Sequence, residues 1–263
     1  MAANAPTLLA RPPLWRRVVG AERLACAALC AVALVFRFQW GLGSVTFEPA
    51  NFFAYLTIQS NIAYALVAAA AGVFALRGAQ ASPRFDALRA AVLTCTVTAG
   101  IVFAVIVQQS AARGIRVDVP WSDVVLHFVL PLAAVIDWML TQRHRVRLTV
   151  VVLVLAYVGL WGAVTILRGE QTGWYPYYFL DPIQTRNALE FVVISGAAVA
   201  VFATIGASLI LARVPSRVWT ERRAPGFEAP PRARRRRSPR PGQAPADRRP
   251  PQEAPPDPSP EAD

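Results

Sequence analysis

The sequence predicts an all-α polytopic membrane protein: a bundle of six transmembrane helices, with N- and C-termini cytoplasmic and a disordered C-terminal tail. Three observations carry this prediction. Of the 263 residues, 55% are hydrophobic and 16% charged, and the mean hydropathy is +0.38, too apolar for a soluble domain of this size. Six apolar runs reach the roughly 20 residues that a helix needs to cross a bilayer. Arginine supplies all 27 basic residues, and it is spread unevenly among the segments that join those runs.

The spans fall near 20–41, 52–76, 88–110, 121–141, 147–167 and 187–212. The first follows a short segment, 1–19, that holds Arg11, Arg16 and Arg17. It ends on bulky Arg37-Phe-Gln-Trp40 instead of a small-residue cleavage site, so it reads as an uncleaved span. Gly41-Leu-Gly-Ser44 precedes the second span, and Arg77-Gly with Ser82-Pro-Arg84 separates it from the third. Arg113-Gly and Val119-Pro-Trp121 follow the third, Arg143-His-Arg-Val-Arg147 follows the fourth, and the longest loop, 168–186, joins the last two.

The N-terminal flank, the second–third loop (Arg77, Arg84, Arg89) and the fourth–fifth loop (Arg143, Arg145, Arg147) are Arg-rich. The alternate loops hold no Arg, then Arg113 and Arg116, then Arg168 and Arg186. The positive-inside bias therefore puts both termini in the cytoplasm of a multi-pass cell-membrane protein. Residues 214–263 contain 13 Pro and the run Arg232-Ala-Arg-Arg-Arg-Arg237, with little to bury. This composition predicts a disordered Pro/Arg-rich tail, either a polybasic contact for anionic lipid or simply a solvated segment. Membrane lipids are the expected partners, and nucleic acid is not.

Ala68-x-x-x-Gly72 and Gly196-x-x-x-Ala200 provide small-residue faces for close helix approach. Cys26, Cys30 and Cys95 read as core-filling thiols; no Cys/His/carboxylate set has metal spacing, and neither metal nor cofactor is expected.

Polar residues inside spans are costly, so their positions are informative. Phe53, Thr57, Ser60, Asn61 and Tyr64 share one face of the second span, with Gln59 roughly opposite. Thr57 lies about five residues into its span and His127 about six into the fourth, each ~8–9 Å deep on the outer side at 1.5 Å per residue. Arg37, Gln108, Gln109, Asn187 and Glu190 fall at the same level. In the fourth span Asp123, His127 and Pro131 follow one another at one-turn intervals. Asp123 can orient His127, and Pro131 removes the hydrogen bond to the His127 carbonyl. Arg37 is expected to pair with Glu190 or to reach the headgroups; Asp137, at the inner end, is expected to snorkel or to pair with Arg143.

A threonine in a membrane helix commonly bonds the carbonyl at i−4, here Phe53. As a nucleophile it needs a base, and His127 is the membrane-embedded histidine. A Thr57/His127 pair in a lipid-accessible cavity suits acyl transfer to water from a lipophilic ester, with Asn61, Gln108 and Gln109 as oxyanion donors. The loop Gly173-Trp-Tyr-Pro-Tyr-Tyr-Phe-Leu-Asp181 suits an aromatic belt or a lid that brings Trp174 and Tyr175 over the site.

Three stretches in order carry a resemblance: Asn51-Phe-Phe-Ala-Tyr-Leu-Thr-Ile-Gln-Ser-Asn61, His127-Phe-Val-Leu-Pro131, and the aromatic loop just quoted. Together they resemble a family of bacterial six-helix integral membrane proteins and, more distantly, the eukaryotic androgen-induced and androgen-dependent membrane proteins. The latter are six-helix threonine hydrolases of fatty acid esters of hydroxy fatty acids. The resemblance implies Thr57 as nucleophile and His127 as base. This chain has Ile58-Gln59-Ser60 where the eukaryotic proteins carry Phe-Ile-Asp, and Tyr178 where the bacterial loop carries a second Pro.

The expected activity is intramembrane hydrolysis of a lipid ester by Thr57, His127 and Asp123. Ser60, Asn61, Gln108, Gln109, Glu190, Trp174 and Tyr175 would shape the cavity. The alternative is a non-enzymatic membrane protein that binds or transports a lipid or small polar solute, and transport suits six helices without an evident repeat poorly. A hydrogen bond within reach between Thr57 and His127 would favour catalysis; side chains facing separate helix contacts would favour binding.

Overall fold

The computed structural model describes residues 12–44, 47–112, 114, 118–142, 144–185 and 187–212. Arg11, Arg113, Arg116, Arg143, Arg186 and the 214–263 tail lie outside the described residues. In order, the chain forms α1 (Leu14–Leu42), α2 (Pro49–Ala54), α3 (Leu56–Leu76), α4 (Pro83–Ala112) and α5 (Trp121–Val124). A π-helical turn (Val125–Val129) leads into α6 (Leu130–Thr141), followed by α7 (Thr149–Thr172), a 3₁₀ turn (Tyr178–Leu180) and α8 (Ala188–Leu211).

Among the described residues six helices are long and apolar enough to cross a membrane: α1, α3, α4, the α5–π–α6 unit, α7 and α8. Large apolar side chains such as Leu66, Leu132, Leu153, Leu160 and Leu189 are exposed on their outer faces, as a hydrocarbon surround requires. The first span starts at Leu14 instead of near residue 20, and the third reaches back to Pro83. The second differs more. Its helix does not run continuously from residue 52, because Tyr55 is extended (φ −66°, ψ 128°) and separates the short α2 from α3.

α1 lies along α3, and α4 packs between α3 and the pair α7–α8. Gly20 and Gly72 face each other across the first of these contacts, and a Cβ added to either would crowd the other's carbonyl oxygen. Gly72 thus has the close-approach role expected of Ala68-x-x-x-Gly72. Gly196 does not share it. Nothing lies within 4 Å of the place its Cβ would occupy, and α8 instead meets α4 and α7 at Gly206, beside Thr94 and Val151. The first half of α8 therefore stands off the bundle. Cys26, Cys30 and Cys95 are free thiols, the last two buried.

The bundle end away from the aromatic loop is closed by a charge network. Asp137 receives Arg23 (Nη2 to Oδ1, 2.8 Å) and Arg89 (Nη2 to Oδ2, 2.8 Å), partners on α1 and α4; the expected alternative partner, Arg143, lies outside the described residues. Arg89 also meets Asp86, which takes His144 Nδ1 at 2.6 Å. Thr141 Oγ1 accepts from both arginines. Buried charges need such mutual satisfaction, since each alone would be strongly destabilising.

The fourth span is distorted beside Pro131, as the missing N–H of proline predicts. The Leu130 N–H reaches back five residues to the Val125 carbonyl, the π pattern. The carbonyl of His127, which Pro131 cannot bond, lies against Gly100 of α4, and a Cβ there would overlap its oxygen. Only a glycine leaves α4 this close, with room for a Cα–H···O contact. Gly100→Ala is expected to lower thermal stability in detergent by about 1–3 kcal/mol, the usual cost of overpacking. Gly196→Ala should stay within about 0.5 kcal/mol of wild type. Equal melting temperatures for wild type and Gly100→Ala would contradict this packing.

Candidate functional site

The site is built around the break at Tyr55. In hydrocarbon every freed backbone group needs a partner. Ala54 O accepts from Trp161 Nε1 (3.0 Å), Phe53 O from Gln59 Nε2 (2.9 Å), and Tyr55 O from the N–H groups of Ile58 and Gln59. Gln59 Oε1 in turn accepts from the Tyr157 hydroxyl at 2.5 Å. The Tyr55 ring is held edge-on by Trp174 and Tyr177. Thr57 is consequently the second residue of a new helix, not the middle of an old one. Among the described residues the Leu56 N–H has no hydrogen-bond acceptor, while the Thr57 N–H is directed at the Tyr177 hydroxyl oxygen; together they form the positive end of α3.

Thr57 Oγ1 does not bond Phe53. Its polar neighbour is the Tyr177 hydroxyl at 3.4 Å. The Thr57 carbonyl accepts from Ser60 Oγ (3.0 Å) and Asn61 Nδ2 (2.9 Å), so both side chains are occupied in bracing the first turn of α3. Asn61 is fully buried, with Cys30 against it.

His127 faces the same space from the π turn. Its Nδ1 lies 2.9 Å from the Asp123 carbonyl oxygen. A carbonyl only accepts, so Nδ1 carries the proton and Nε2 keeps its lone pair. Nε2 has no partner among the described residues and is not sealed off. The ring is stacked on Phe103, with centroids 3.8 Å apart. Asp123 thus orients His127 through its main chain. Its carboxylate instead takes Arg37 Nε at 2.7 Å, which replaces the expected pairing of Arg37 with Glu190. The Arg37 guanidinium also lies over Trp40, 4.6 Å from the ring centroid.

These groups line one cavity of about 360 Å³, within the range of small-molecule sites. Thr57, His127, Asp123 and Trp174 are among its walls, as are Arg37 and Tyr177. Ser60, Asn61, Gln108, Gln109, Tyr175 and Glu190 are not. Gln109 accepts from the Tyr178 hydroxyl at 2.6 Å, Tyr175 packs on Gly169, and the Glu190 N–H donates to the Asn187 N-cap. Thr57 and His127 share the cavity without a direct hydrogen bond.

The loop over the cavity is held by its own chemistry. Gly173 ends α7 with φ +67°, a conformation that favours glycine, and Asp181 receives the Ile183 N–H and the Gln184 amide. Arg168 reaches Asn51 (2.6 Å) and lies over Trp174, tying the loop to α2. Tyr177 keeps partial exposure as a residue, yet desolvation of its hydroxyl pushes the phenol up to about 12, while the Thr57 hydroxyl and main chain act against that shift. Tyr177 is therefore a protonated donor at neutral pH.

Compared with protein-family models, curated proteins and solved structures, the chain matches none.

Sequence reasoning did not find Tyr177, Gln59 or Trp161 as parts of this site. The Trp-Tyr-Pro-Tyr loop signalled aromatics near it, but nothing local distinguishes Tyr177 from Tyr175. The Arg37–Asp123 pair is the testable electrostatic element. Arg37→Gln or Asp123→Asn alone is expected to lower stability by about 2 kcal/mol, less than the ~3–5 kcal/mol of fully enclosed pairs, because 28% of the Arg37 side chain is exposed. The double variant should lose less than the sum, and a thermal-melt double-mutant cycle measures the coupling. Strict additivity would mean that the two charges do not depend on each other.

Proposed function

We propose that this multi-pass membrane protein hydrolyses lipophilic carboxylic esters, with Thr57 as nucleophile and His127 as general base. One observation carries the proposal: Thr57 stands in the first turn of α3, at the positive end of that helix, in the cavity that His127 also lines. The resemblance of Tyr55-Leu-Thr57 and His127-Phe-Val-Leu-Pro131 to the membrane threonine hydrolases points the same way. The arginine bias supports cytoplasmic termini and hence a cavity near the outer leaflet.

Chemically, Nε2 takes the Thr57 proton as Oγ1 attacks the ester carbonyl carbon. The oxyanion that forms is met by the Leu56 N–H and the positive end of α3, with the Tyr177 hydroxyl as the nearest side-chain donor. Collapse expels the alcohol, which takes the proton from His127 and leaves the acyl group on Thr57. Water then attacks the acyl carbon and gives its proton to Nε2. That proton returns to Thr57 Oγ1 as the carboxylic acid leaves. Asp123 contributes through its carbonyl, which keeps Nε2 the basic nitrogen, and through its ion pair with Arg37.

A second reading, a binding site for a lipid or small polar solute, draws on the Thr57 hydroxyl being turned to Tyr177. The two readings separate in native-like membranes. For the hydrolase, Thr57→Ala and His127→Ala each reduce ester turnover at least ~100-fold, the scale of lost general-base catalysis, whereas Thr57→Ser keeps fluorophosphonate labelling. Wild-type labelling and turnover in both alanine variants would end the hydrolase reading. Ligand-dependent stabilisation without turnover would establish the binding one.

A further inference from the structure

A second cavity of about 340 Å³ lies between α4, α7 and the stand-off half of α8, roofed by Phe179 and Leu180. Apart from the Tyr177 and Ser195 hydroxyls and the Trp161 indole N–H, which Ala54 O already takes, its side-chain walls are apolar. The room comes from small residues: a Cβ at Gly159 or Gly162 would meet no atom within 4 Å. This cavity adjoins the polar one. Ala99, Val102 and Tyr177 form walls of both. Leu56 lines the apolar space and its neighbour Thr57 the polar one, so the helix start that carries the nucleophile sits at their junction.

We infer that the apolar cavity holds the single acyl chain of a lipid whose head occupies the polar cavity. This deepens the hydrolase reading and rests on it for the position of the ester carbonyl. With that carbonyl at Thr57, the acyl chain passes Tyr177 into the space between α7 and α8. The alcohol portion then faces Arg37, Ser44, Glu48 and Asn51, the polar walls on the other side. The chain matches its container because hydrocarbon gains from leaving water and asks for no hydrogen-bond partner. The division also explains why two cavities of such different polarity meet at one residue pair.

The test fills the apolar cavity without touching Thr57, His127 or Tyr177. Gly162→Leu replaces a helical glycine that faces open space, so the helix itself is not weakened. In full-length protein in lipid nanodiscs, the variant should lose at least ~10-fold in kcat/KM for p-nitrophenyl dodecanoate while p-nitrophenyl acetate stays within about 2-fold. Separately, a diazirine-bearing palmitate should crosslink wild type saturably within residues 158–166 or 191–202, and Gly162→Leu should abolish that labelling. Equal loss or retention for both esters, or crosslinking that unlabelled palmitate does not compete, overturns the acyl-chain site. Competed crosslinking lost in Gly162→Leu, in a wild-type protein that turns over no ester, overturns the hydrolase reading and upholds the acyl-chain site.

Discussion

Hydrocarbon offers no partner to a backbone N–H or C=O, and the break at Tyr55 is where this chain meets that constraint most directly. The carbonyls released there are bound by Trp161 and Gln59, and Gln59 is itself held by Tyr157. Ser60 and Asn61 brace the turn that follows through the Thr57 carbonyl. The polar face of the second span is therefore mostly the apparatus of a helix start. What the apparatus leaves over is the Leu56 N–H and, beside Tyr177, the Thr57 hydroxyl at the edge of a cavity.

The same constraint acts on the opposite wall. Pro131 deprives the His127 carbonyl of its ordinary donor; the chain answers with a π turn and with Gly100 brought against the oxygen. The two distorted helices face each other across one space, and each distortion exposes one of the two groups that the proposed chemistry needs. Neither residue would stand in this relation on two regular helices, where Thr57 would be back-bonded and His127 would pack.

The two ends of the bundle are built differently. Away from the loop, Arg23, Arg89, Asp137, Asp86 and His144 form a closed set of charge-assisted contacts that ties α1, α4 and α6 together. Near the loop the helices diverge, and aromatic edges join the single described ion pair, Arg37–Asp123, around two cavities. A bundle needs one end fixed if the other is to hold space open, because cavities forgo the packing that would otherwise stabilise them.

Six spans were legible in the sequence because length and apolarity are local properties that the bilayer enforces on each segment separately. The cavity-side roles of Thr57 and His127 were legible for a related reason: polar groups in apolar runs announce themselves. Partners were not. Asp123 was expected to serve His127 with its carboxylate and serves with its carbonyl; Arg37 and Asp137 chose neighbours from helices distant in sequence. The break at Tyr55 carries no Gly or Pro to betray it, since its stability comes from Trp161 and the aromatic loop far along the chain. Periodicity states which residues share a face. Only tertiary packing decides what that face meets, because side-chain hydrogen bonds and ion pairs are settled by proximity across helices and not by spacing within one.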